Sequence, residues 1–129
     1  MENSRCGMEI KGVKARGGYV KDVRVYDSSF SILAIRSVNY NTDGEWATYP
    51  PQFEDYYFEN ISLTGVCLKH TGETWDEAAI ILEGFDEEEY CLKNVTLKNI
   101  AIQRRERTPK HSLSLFSVKG VNIENICCK

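Results

Sequence analysis

Apolar side chains recur at alternate positions in four stretches of the chain, and each stretch is interrupted by an Asp or Asn before the apolar residues resume. The clearest copy reads Asn94-Val95-Thr96-Leu97-Lys98-Asn99-Ile100-Ala101-Ile102, and the others begin at Asp22, Asp55 and Gly120. Aligned, they give Val23, Tyr56, Val95 and Val121 at a first inward position and Val25, Phe58, Leu97 and Ile123 at a second. Alternation of this kind is the period of a half-buried β-strand. The interrupting residues Asp27, Asn60, Asn99 and Asn125 are 33, 39 and 26 residues apart. Repeats of uneven length around a constant phrase fit a solenoid whose turns carry insertions of different size.

Shorter strand patterns lie between the copies. Gly7-Met8-Glu9-Ile10-Lys11 turns Met8 and Ile10 inward and Glu9 and Lys11 outward. Ile32–Ile35, Gly65–Leu68, Ala78–Leu82 and Leu113–Val118 are apolar runs of strand length, and no amphipathic helix is predicted. Arg16-Gly17-Gly18 reads as a turn, Ser37–Gln52 and His70–Glu77 as loops, and Asp86–Glu89 as a solvated acidic turn. The predicted fold is all-β, a right-handed parallel β-helix of about four to five coils forming one domain over 1–129. In it, Asp27, Asn60, Asn99 and Asn125 would stack as a hydrogen-bonded side-chain ladder. A β-sandwich would also use short strands, but with antiparallel pairing.

Composition narrows the function classes. The apolar fraction of 42% and charged fraction of 27% predict a folded globular chain. A net charge of −3 argues against a general nucleic-acid binder, and no window has the length and apolarity of a membrane span or of a signal peptide. The first 25 residues nevertheless carry +3, leaving −6 for the remainder, so an anionic ligand is expected at the N-terminal end. The five cysteines show no CxxC pair, and neighbouring Cys127 and Cys128 would face opposite sides of a strand. They read as free thiols, small buried hydrophobes of a reducing compartment such as the cytoplasm, and not as metal ligands. No cofactor is implied.

Three stretches are similar to glycoside hydrolase family 28, the polygalacturonases, and in particular to their C-terminal coils. They are Gly7–Lys11 with the following Arg16-Gly17-Gly18-Tyr19-Val20, then Phe53–Ile61, then Ala79–Gly84 leading into Leu92–Val95. The resemblance runs from about Gly7 to Ile126 and implies inverting hydrolysis of pectic, galacturonate-containing chains. It implies that Lys11 binds the uronate carboxylate beside the scissile bond and that Tyr40 packs on a sugar ring. With Arg16 of the Arg-Gly-Gly turn, these are the expected substrate-binding residues. Glu9 stands where the family has an arginine, and a carboxylate there would repel an anionic sugar.

The family's catalytic aspartates lie N-terminal to the coil that Lys11 belongs to, and no such motif precedes it here. Asn41-Thr42-Asp43-Gly44 spells the first catalytic motif but follows the Arg-Gly-Gly turn, so it reads as a bend with Asp43 outside the cleft. The expectation is therefore the C-terminal part of a polygalacturonase-like enzyme, inactive alone, that contributes Lys11, Arg16 and Tyr40 to a cleft for an anionic saccharide. The alternative is a non-catalytic β-helix that binds carbohydrate or self-associates through open coil ends.

Overall fold

A computed structural model describes residues 7–13, 17–38, 49–64, 78–103 and 111–128. The described chain is all-β apart from a single 3-10 turn at Glu88–Tyr90. Its strands are β1 (Met8–Val13), β2 (Tyr19–Phe30), β3 (Leu33–Val38), β4 (Gln52–Leu63), β5 (Ala78–Glu83), β6 (Leu92–Ile102), β7 (His111–Phe116) and β8 (Val118–Cys128). They form two four-stranded sheets, ordered β1-β3-β5-β7 and β2-β4-β6-β8. Every neighbouring pair is parallel, which excludes the antiparallel sandwich. The chain thus alternates between a sheet of short strands and a sheet of long ones, adding one strand at a time. The predicted strand at Gly65–Leu68 and the loop at His70–Glu77 lie outside the described residues.

The long strands take their shape from the repeated phrase. Their inward residues are spaced three, two, three and two apart, as in Phe53, Tyr56, Phe58, Ile61 and Leu63. A flat strand would keep a spacing of two, so each strand must absorb one extra residue at two places. Those places are bends in the left-handed region: Asp22, Asp55, Asn94 and Gly120 in one row, Asp27, Asn60, Asn99 and Asn125 in the other, with φ between 49° and 73°. Most L-residues pay about 1–2 kcal/mol for that conformation, while Asp and Asn tolerate it and Gly has no Cβ to clash. The residue types at the bends are therefore set by backbone conformation.

The registers align the inward residues of all four copies. Val23, Tyr56, Val95 and Val121 stack in one column and Val25, Phe58, Leu97 and Ile123 in the next. From the short strands, Leu33, Ile35, Ile80 and Leu82 close the same core, with Met8, Ile10 and Leu113 packed against it. Tyr56 and Phe58 stack within it at 6.4 Å between ring centroids, and Phe53 stacks on Phe85 at 6.1 Å. Each fully buried Val, Leu, Ile or Phe contributes about 1.5–3 kcal/mol relative to exposure. A second buried cluster, Ile32, Ala34, Ala78 and Ile81, makes the middle of the short-strand sheet apolar beyond the main core.

Candidate functional site

The outer surfaces of the two sheets carry the candidate chemistry. On the short-strand sheet, Lys11 is exposed at its predicted outward position on β1 and registers with Arg36 of β3. Its ammonium lies 3.8 Å from Glu9, and Arg36 lies 3.6 Å from Glu83. Lys11 and Arg36 therefore each have a carboxylate beside them. Glu9 offsets the charge of Lys11. Arg16, Tyr40 and Asp43 lie outside the described residues.

The long-strand sheet has a differently built outer surface. Between its two rows of bends, outward residues from β2, β4 and β6 line a groove of about 490 Å³. Asp22, Arg24 and Tyr26 come from β2, Asp55 and Tyr57 from β4, and Asn94 and Thr96 from β6. Strand alternation turns Arg24, Tyr57 and Thr96 to one side because Val23, Val25, Tyr56, Phe58, Val95 and Leu97 occupy the other. Tyr26 and Tyr57 are diagonal neighbours, with ring centroids 5.7 Å apart and planes inclined at 44°. Both rings belong to the outer surface of this sheet and line the groove.

Hydrogen bonds hold the groove's edges. Asn94 donates through Nδ2 to Asp55 Oδ1 at 3.1 Å, which orients that carboxylate and leaves its second oxygen to accept elsewhere. The hydroxyl of Tyr57 donates to Glu59 Oε1 at 3.2 Å. Desolvation, with the Glu59 charge behind it, raises the Tyr57 pKa and keeps that hydroxyl protonated as a donor. Next to the groove, Lys98 bridges Glu59 and Glu124 at 3.3 and 3.7 Å, and its pKa is raised chiefly by its hydrogen bond to Glu59. Lys21 is likewise held by Glu54, whose hydrogen bond raises its pKa.

The other row of bends forms the predicted ladder. Asn60 donates to Asp27 at 2.9 Å, Asn99 to Asn60 at 3.2 Å and Asn125 to Asn99 at 3.3 Å. All donors point the same way, and the ladder ends on the Asp27 carboxylate, which can only accept. Asn60 and Asn94, which also spell glycosylation sequons, use their amide nitrogens for these bonds.

One sequence reading changes. Cys91 is buried as expected, but Cys127 and Cys128 are exposed, because β8 is the last strand of its sheet and no described strand covers it. Among the described residues, no group of three or more His, Cys, Asp or Glu could hold a metal ion. The groove itself was not anticipated. Its signal was the unequal spacing of inward residues, which marks Asp22, Asp55, Asn94 and Gly120 as a second row of bends and assigns the residues between the rows to a solvent-facing surface.

Compared with protein-family models, with curated proteins and with solved structures, the chain matches none.

Proposed function

We propose that the two sheets belong to a right-handed parallel β-helix and that the long-strand outer surface is a saccharide-binding surface. The one-strand steps, the parallel registers and the two stacked rows of Asp and Asn support the solenoid reading. The groove between those rows supports the binding reading, and the Tyr26–Tyr57 pair carries it. Sugar rings present C–H faces that pack on aromatic rings, and hydroxyl edges that need both acceptors and donors. The groove supplies the rings with carboxylates, an amide, a hydroxyl and a guanidinium around them. The reading is one of binding. The test is calorimetric titration with oligosaccharides: Tyr57→Ala should weaken binding by about tenfold, the loss of roughly 1.4 kcal/mol. Unchanged affinity in that variant would overturn the assignment.

A second reading keeps the C-terminal part of a polygalacturonase-like hydrolase, inactive alone, whose whole enzyme acts on pectic chains by inversion and in which Lys11 lies against the uronate. The exposed ammonium of Lys11, in register with Arg36, favours it. On this reading Lys11→Ala weakens binding of polygalacturonate, and Asp43 takes no part in catalysis. Release of reducing sugar from polygalacturonate by the 129-residue chain, abolished by Asp43→Asn, would contradict it.

A further inference from the structure

We infer that the groove accepts a neutral hexose chain and discriminates against the uronate chain that the family resemblance implies. The inference rests on the groove being the saccharide site and concerns the charge of its ligand. Asp22 and Asp55 occupy successive bends of one row, bracketed by the registered pairs Lys21–Glu54 and Val23–Tyr56. Adjacent strands lie about 4.8 Å apart, so the two carboxylates edge the groove side by side. Against them the groove's lining contains one cation, Arg24. The lysines around it are engaged elsewhere: Lys21 pairs with Glu54 while also feeling Asp55, Lys98 pairs with Glu59 and Glu124, and Lys93 donates to the Glu89 carbonyl.

A sugar carboxylate entering this groove would meet two like charges and a single guanidinium. A neutral ring meets no such conflict. Its vicinal hydroxyls can donate to Asp22 and to the oxygen of Asp55 that Asn94 leaves open, while Arg24 donates to a ring or hydroxyl oxygen. Hydrogen bonds to charged groups are the stronger kind, so the carboxylates reward hydroxyl donors as well as repelling anions. Tyr26 and Tyr57 serve either sugar equally and contribute nothing to the choice.

Galactose and galacturonate oligosaccharides of equal length, linkage and anomeric configuration differ only at C6, as hydroxymethyl or carboxylate, and are the natural probes. Titrated into the full chain at low salt, the galactose oligomer should bind about tenfold more tightly, and added salt should narrow the gap by screening the repulsion. Asp22→Asn with Asp55→Asn should close the gap without unfolding the protein, since asparagine already occupies the equivalent bend at Asn94. Equal or tighter binding of the uronate oligomer, abolished by Tyr57→Ala, would overturn the charge preference and leave the saccharide site standing. If neither oligomer binds, or Tyr57→Ala leaves both affinities unchanged, the site and the preference fall together.

Discussion

The two sheets share parallel pairing and a common core, yet they treat their outer surfaces in opposite ways. In the short-strand sheet, the central strands β3 and β5 hold Leu33, Ala34 and Ile35, and Ala78 through Leu82, at no more than 1% exposure, so apolar residues are buried on both sides of the sheet. In the long-strand sheet, β4 alternates a buried residue with a half-buried or exposed polar one along most of its length. A parallel sheet covered on both sides gains stability but offers little polar chemistry. The long-strand sheet leaves one side to solvent, and that side can carry a ligand groove without weakening the core. On the proposed reading, binding and stability fall to different surfaces.

Substitutions can break this division, beginning where the loss is greatest. Phe58→Ala, in the shared core, should cost about 3–5 kcal/mol, and Ile81→Ala, on the far side of the short-strand sheet, about 2–5 kcal/mol. Urea denaturation measures both. If Ile81→Ala proved neutral, the second buried cluster would not stabilise the fold and the contrast between the sheets would fail.

Asn99 tests the ladder. It donates to Asn60 and accepts from Asn125, and its φ is 53°. Asn99→Ala loses both hydrogen bonds and strains the bend, for about 2 kcal/mol in all, whereas Asn99→Gly keeps the conformation and should recover about half of that. Equal losses in the two variants would show that side-chain bonding, and not the left-handed bend, explains the asparagine.

Tyr56 provides a pH test on the core side of the same strand. Its hydroxyl donates to the Val20 carbonyl at 2.8 Å, and burial pushes its pKa well above the ordinary value. The folded protein therefore holds the phenolic proton at pH values where the unfolded chain releases it. Because the native state binds more protons there, stability falls as pH rises above about 10. Tyr56→Phe should cost about 1 kcal/mol at neutral pH and make the alkaline decline shallower. An unchanged slope would contradict the assignment of that decline to Tyr56.

On the exposed side the effects should be smallest. Thr96→Ala should change stability by no more than about 0.5 kcal/mol, and Lys98→Ala by a similar, salt-sensitive amount. A large loss from either would mean that the groove surface also carries stability.

Much of the all-β architecture was legible because burial writes itself into spacing. The columns Val23-Tyr56-Val95-Val121 and Val25-Phe58-Leu97-Ile123, and the ladder from Asp27 to Asn125, follow from aligning the phrase by position. The groove was less legible because the outward residues between its bends obey no repeat: Arg24, Tyr57, Thr96 and Asn122 share a register column but no chemistry. Solvent-facing positions are free to differ from strand to strand, which lets them serve a ligand and hides them from a periodic reading. The exposure of Cys127 and Cys128 was missed for a related reason. The copy at Gly120 has the inward pattern of the others, but burial depends on a neighbouring strand as well as on the pattern. Ile123 is 46% exposed in β8, while Leu97, its counterpart in β6, is fully buried.

The most direct test of the division between the sheets is a map of backbone amide shifts in the isotope-labelled chain as a neutral galactose oligosaccharide is added. The largest shifts should fall on residues 22–26, 55–57 and 94–96, with β1 and β3 unmoved. Shifts concentrated around Lys11 and Arg36, with the long-strand sheet silent, would contradict the assignment of binding to the long-strand surface.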